Sequence, residues 1–279
     1  MAILLHPYII TMLFLAVLVI LIAIRRQIVH KIADKRIELG NGQTIGMRDE
    51  QDDYFATVET AYGTIAVLAD GISGLANGRM ASTVAVTTFI EEFKKLTNIQ
   101  QINDYFTAAA TKSNQIIVEN LNGSNGGTTL VTAVIDEHGL LHWSAVGDSI
   151  VTIYRNGEFI EVNEKHIFET VLTEQYLNGK ISQLEIQENP FKKRLVNYLG
   201  YEGFKKIDIG QSPIPLLRGD KVCLLSDGVY DSLTEIEMEK FLSEKIPPHY
   251  IAQNMINAIE KKRLKNQDNA TIVILEKTW

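Results

Sequence analysis

Four places in this chain set aspartate where an apolar run meets a loop. Asp52 and Asp53 open YFATVET, Asp70-Gly71 closes AVLA, Asp227-Gly228 follows CLLS, and Asp268-Asn269 opens ATIVIL. Short apolar runs bounded by turn residues read as buried strands. The carboxylates therefore lie at strand ends and can converge on one edge of a sheet core. Oxygen-only donors suit Mg2+ or Mn2+, which demand octahedral geometry and keep several waters. A glycine after the aspartate lets its own carbonyl turn inward as a ligand, with no Cβ in the way. One Asp-Gly is an ordinary turn; four acidic strand ends point to a metal site.

The elements that must position these groups follow from the pattern. Strands are expected over Tyr54–Thr60, Gly63–Ala69, Thr128–Ile135, Leu141–Val146, Ile150–Arg155, Glu158–Val162, Lys221–Ser226 and Ala270–Glu276. Tyr62-Gly63, His138-Gly139 and Asn156-Gly157 mark tight turns, the last a strong hairpin signal. Ala81, Ala85, Phe89 and Phe93 recur at helical spacing, as do Ile102, Tyr105, Phe106, Ala109, Ser113, Ile116 and Ile117. A third helix starts at Thr234, where Thr-Glu-Ile-Glu forms a capping box, and a last one spans about Tyr250 to Leu264. Strand pairs, a helix pair, hairpins, helices and a closing strand do not alternate as β-α-β. The expected fold class is a layered α/β (α+β) sandwich with mostly antiparallel sheets, not a doubly wound parallel sheet. The single cysteine, Cys223, sits in an apolar run and reads as a core residue; no disulfide is possible within one chain.

The N-terminal region is of another kind. Tyr8 to Ile24 carries no charge, and Arg25, Arg26, Lys31, Lys35 and Arg36 follow at once. A bilayer core takes about 20 apolar residues, roughly 17 at least. A buried core helix and a cleaved signal peptide are the alternatives. No polar face exists for the first, and neither a positive n-region nor a small-residue cleavage site for the second. The basic flank predicts a single-pass anchor in the cell membrane with the rest of the chain cytoplasmic. Expected boundaries are an anchor over 1–24, a basic linker over 25–41 and one large domain over 42–279. The chain carries −7; its first 36 residues hold five basic groups and one acid, Asp34, which leaves −11 on the remainder. So acidic a domain is a poor match for nucleic acid, which needs a positive surface.

The blocks around the aspartates resemble the metal-dependent serine/threonine protein phosphatases of the 2C type, in their bacterial form. RDEQDD (Arg48 to Asp53) is similar to that family's Arg-x-x-Asn-Glu-Asp segment, and ADGISGLANGRMAS (Ala69 to Ser82) to its Asp-Gly-x-Gly-Gly segment. GGTTLVTAVI, VGDSIVTIYRNGEF, LLSDGVYDSL and DNATIVIL resemble the remaining blocks in order, so the likeness runs over about residues 42–276. It implies a central β-sandwich of two antiparallel sheets flanked by helices. It also implies hydrolysis of phosphoserine and phosphothreonine by a water activated between two Mn2+ or Mg2+ ions. Asp53, Asp70, Asp227 and Asp268 would hold the ions, with Asp52 and the Gly71 carbonyl supporting the second. Arg48 would grip the phosphate with its fork of donors, and Asn269 would orient its neighbouring aspartate or a water.

Departures from the family pattern are also legible. Ile72 and Ser73 break the Asp-Gly-x-Gly-Gly turn, and Ile72 cannot act as an acid. Gln51 and Asp52 stand where Asn and Glu are usual, and Ile150 follows Gly147-Asp148-Ser149 where Arg is common. Asp148 reads as a structural turn residue. Asp231 matches one partner of a third ion seen in relatives, but Asn122-Gly123-Ser124-Asn125 offers no second carboxylate, so no third site is expected. Residues 164–204 fall where relatives carry a flap, and the scattered histidines read as structural.

These expectations describe a membrane-tethered phosphatase acting on phosphorylated proteins, with a membrane-bound Ser/Thr kinase or its targets as partners. Two rivals remain: a catalytically silent phosphatase-like binding module, motivated by the substitutions, and a different two-metal hydrolase such as a nuclease.

Overall fold

The computed structural model describes residues 7–33, 37–72, 77–204 and 207–279. It divides into an N-terminal unit ending at Arg36 and a compact unit over Ile37–Lys277. The first contains one helix, α1 (Pro7–Ala33), whose stretch Ile9–Arg26 is long and apolar enough to cross a membrane. The same helix runs on through Arg25, Arg26 and Lys31 to Ala33, and the second unit opens directly on strand β1 (Ile37–Thr44). The linker expected over 25–41 is thus helix at its start and sheet at its end, and the domain boundary moves from 42 to Ile37.

β1 escapes a reading for alternation because Gly-Asn-Gly at its centre looks like a turn. The glycines have a packing cause. A Cβ on Gly40 would stand 2.2 Å from the Pro248 carbonyl carbon, and one on Gly42 2.8 Å from the Ala252 oxygen. Helix α8 (Pro248–Lys262) lies directly on this strand.

Two antiparallel sheets make up the centre. Sheet one runs β1, β11 (Ala270–Lys277), β10 (Lys221–Leu225), β6 (Ile150–Arg155) and β7 (Glu158–Glu161). Sheet two runs β2 (Tyr54–Thr60), β3 (Gly63–Ala69), β4 (Leu130–Ile135), β5 (Leu140–Val146) and β8 (Asp208–Ile209), with β9 (Ile214–Pro215) also paired to β5. The central strands β3, β4, β10 and β11 are buried on both faces, which explains why they read as continuous apolar runs. The edge strands β2 and β7 are partly exposed. On β10, Val222 and Leu224 enter the core between the sheets, while Cys223 and Leu225 face the helices outside. On β3, Ala66 and Leu68 point inward and Ile65, Val67 and Ala69 outward.

Helices α2 (Gly78–Phe93) and α3 (Ile102–Leu121) cover sheet two through Phe89, Phe93, Phe106 and Ile117. Helices α7 (Glu235–Leu242) and α8 cover sheet one through Met238, Ile251, Met255 and Ile259. The Thr234–Glu237 capping box forms as the sequence predicts, and Asn156 and Gly157 both take positive φ in the β6–β7 turn. All three hydrophobic cores lie within Ile37–Lys277, so this unit carries what it needs to fold alone.

Candidate metal centre

The loop Ile45–Asp53, the end of β3, the start of β11 and the short helix α6 (Asp227–Tyr230) meet at one edge of the sandwich. Asp53 is the most deeply held, 3% exposed. Its Oδ2 accepts the Ser226 hydroxyl at 2.9 Å and the Thr271 hydroxyl at 2.6 Å. These two donors follow β10 and lie in β11, so the carboxylate of a loop entering sheet two is clasped by sheet one. Its Oδ1 is buried with no hydrogen-bond partner. An orphaned carboxylate oxygen of this kind costs free energy unless a cation or proton meets it.

Asp70, Asp148, Asp227 and Asp268 line a cleft of about 900 Å³ beside Asp53. The groups raise one another's affinity for protons. Burial pushes Asp53 up to about 6 against the opposing pull of the Thr271 and Ser226 hydroxyls. Burial, then the charge of Asp148 and Asp268, pushes Asp227 up to about 7. Asp70 rises well above the carboxylate range through burial and then the charges of Asp53 and Asp227. Such a set at neutral pH calls for positive charge.

The side chains ring the cleft without closing into a finished cage. Among the described residues, no three His, Cys, Asp or Glu groups already stand as a cluster able to hold an ion. The all-oxygen donors, the mutual repulsion and the orphaned Asp53 Oδ1 together fit divalent cations.

Gly71 earns its place sterically: a Cβ there would lie 2.6 Å from the Gly78 backbone and 2.8 Å from the Asp52 oxygen. The glycine after Asp227 has a different reason from an inward carbonyl. A Cβ on Gly228 would meet the Asn269 oxygen at 2.0 Å, so this glycine admits the β11 backbone against α6.

Other expected site residues are placed differently. Asp52 turns its carboxylate toward the start of α2, accepting the backbone N–H of Arg79, and does not line the cleft. Arg48 Nη2 pairs with Asp268 Oδ2 at 2.6 Å, not with Asp49 or Glu50. Asp231 pairs with Lys193 of the flap at 3.1 Å. Asn269 is a staple for the Arg48 loop: its Oδ1 accepts the Asp52 N–H, and its Nδ2 donates to the carbonyls of Ile45 and Glu50. Asn269→Ala removes three hydrogen bonds that hold this loop, an expected loss of about 2 kcal/mol. Thermal melting checks this, and an unchanged midpoint would contradict the staple. Ser73 lies outside the described residues.

Asp148, expected to be only a turn residue, faces the cleft and joins the carboxylate set, with burial raising its pKa. Tyr230 donates its hydroxyl to the Asp148 carbonyl at 3.1 Å, and the Lys165 ammonium lies 3.4 Å above the Tyr230 ring. The flap contains α4 (Phe168–Leu177) and α5 (Gln183–Glu188). His166 pins its two ends. One ring nitrogen meets Asp208 at 2.8 Å; the other accepts from Gly147 N–H and Asn197, while the backbone bonds Gly147 and Val196. Position along the chain gives no hint of that role.

Known proteins bear on this arrangement. The family model described as Protein phosphatase 2C matches residues 46–267, most of the chain. The chain belongs to the protein phosphatase 2C family. The match takes in Arg48, Asp53, Asp70 and Asp227 and stops one residue before Asp268. Serine/threonine phosphatase stp of Listeria innocua is 28% identical over 222 residues, covering 76% of this chain and 84% of that protein. The serine/threonine phosphatase of S. agalactiae superposes with a TM-score of 0.75 at 23% identity, over 86% of this chain and 99% of that one. The catalytic domain of the phosphatase PstP, solved with two manganese ions, superposes at 0.69 and 19% identity over 87% and 99%. Two antiparallel sheets flanked by helices are thus the 2C phosphatase fold, as the resemblance implied.

Proposed function

We propose that this chain is a metal-dependent phosphoprotein phosphatase that hydrolyses phosphoserine and phosphothreonine esters at a cytoplasmic membrane surface. The observation that carries the chemistry is the convergence of Asp70, Asp227 and Asp268 on one cleft, with Asp53 buried beside it and one of its oxygens unpartnered. Asp53, Asp70, Asp227 and Asp268 would hold the ions, and Asp148 adds negative charge to the cleft. Bound there, two Mn2+ or Mg2+ ions supply a nucleophilic water at neutral pH and neutralise the phosphoryl oxygens.

The chain's own residues do the rest. Arg48 is at the cleft mouth, 42% exposed, and its fork matches two phosphate oxygens once Nη2 leaves Asp268. Ser226 and Thr271 fix the Asp53 carboxylate so that only its Oδ1 is free to bind. Ile72 lines the cleft and has no proton to transfer, so it does not protonate the leaving alkoxide.

The apolar helix α1 with its basic C-terminal flank supports a single-pass tether with the catalytic domain cytoplasmic. A tether raises the effective concentration of the enzyme toward phosphoproteins at the membrane, kinases among them. The second reading is a silent binding module. The Arg48–Asp268 pair favours it, because it ties the phosphate-gripping side chain to a metal-holding one.

Phosphate release from phosphothreonyl peptides by the full chain in detergent, with Mn2+, separates the two: turnover supports the enzyme and its absence the module. Arg48→Ala should raise KM about tenfold or more, the loss of a charge-assisted bidentate contact. A defect confined to kcat would count against the phosphate-gripping role.

A further inference from the structure

A second large cavity lies beside the metal centre and is lined by none of its aspartates. It holds about 790 Å³ between β6 and β7, helix α4 of the flap, and the turn from α6 into α7. Its floor is apolar, built from Val151, Phe159, Leu225, Leu233 and Met238, and Leu177 stands 78% exposed at its lip. Among the described residues that line it, five are glutamates (Glu161, Glu164, Glu169, Glu174 and Glu235) and one is a cation, Lys165. None of the five forms an ion pair with any described residue. By contrast, Glu92 and Glu237 elsewhere on the surface do find lysines.

The groove shares a wall with the metal centre. Tyr230 lines it, ends the short helix that Asp227 begins, and bonds the Asp148 carbonyl. Lys165 is held over the Tyr230 ring and makes no ion pair with those glutamates.

We propose that this groove is a docking site for a cationic amphipathic segment of a partner protein. Its apolar side chains fill the floor and its lysines or arginines meet the glutamate ring. Like charge disfavours an acidic or phosphorylated segment there, and a neutral amphiphile leaves five carboxylates without counter-charge. The occupant rests against the turn that carries Asp227. Docking itself does not depend on the phosphatase reading, since it uses none of the metal-holding groups.

Fluorescence anisotropy with residues 37–279 tests this, using a labelled Lys/Leu amphipathic peptide and a Glu/Leu peptide of equal length. Saturable binding of the cationic peptide alone is expected. The Glu169→Lys, Glu174→Lys double variant should weaken it about tenfold or more, and Leu177→Asp should weaken it as well. Glu59→Lys with Glu119→Lys, the same charge change placed on β2 and α3, should leave it within about twofold. Equal weakening by both pairs, equal binding of the acidic peptide, or no saturation would overturn the proposal.

Discussion

Asp227→Asn is expected to abolish turnover while making the metal-free domain more resistant to heat. Asparagine keeps the size of the side chain and removes its charge. At a site where Asp70, Asp148 and Asp268 line the same cleft and Asp53 is buried beside it, the proposed task of that charge is to bind cations. Losing it should cost at least about a thousandfold in kcat/KM, ~4 kcal/mol in the barrier. The stability effect has the opposite sign. Without cations, the buried Asp227 is repelled by Asp148 and Asp268, and a neutral amide relieves that repulsion. Melting in chelator and phosphate release in Mn2+, measured on one preparation, check both halves. Wild-type turnover would show that Asp227 is not a ligand; a large drop in the melting midpoint would show that its charge is structural.

The metal-free domain should lose stability as pH rises through about 7, and added Mn2+ should cancel most of that loss. The sign follows from linkage. An unfolded aspartate titrates near ~3.9, whereas folding pushes Asp53 up to about 6 and Asp227 up to about 7. Between those limits the folded form binds more protons than the unfolded one, so stability falls as pH rises. The contribution is fully present below about 4 and lost above the folded values, a difference on the order of a few kcal/mol. Cations replace the protons, so the stabilisation by Mn2+ should grow from pH 5 to pH 8. Melts that are flat with pH in chelator would contradict the picture of mutually repelling carboxylates.

The parts of this protein that local sequence encodes were legible, and the long-range ones were not. Runs buried on both faces identified most strands, and the periodic apolar stripes identified α2, α3 and α8. The aspartates could be placed at strand ends because an apolar run followed by Asp-Gly has few other readings. β1 was hidden because its glycines answer to a helix more than 200 residues away in sequence. The clasp on Asp53 was hidden too, since Ser226 and Thr271 are 173 and 218 positions distant. Asn269 was singled out for its type but given a different task, because its three partners lie across a similar span. Asp148 looked like a turn residue and is one; that its turn opens onto the cleft is a property of the sandwich. Helix α5 carried a readable Ser182–Glu185 capping box that the flap's irregular composition obscured.

Titration calorimetry of Mn2+ into chelator-stripped protein, with phosphate release from a phosphothreonyl peptide followed on the same samples, puts the coupled-carboxylate site to its most direct test. The predicted result is two ions bound per chain, with turnover absent at the start and rising with their occupancy. Phosphate release that proceeds undiminished in chelator, or an active protein that takes up no Mn2+, would contradict it.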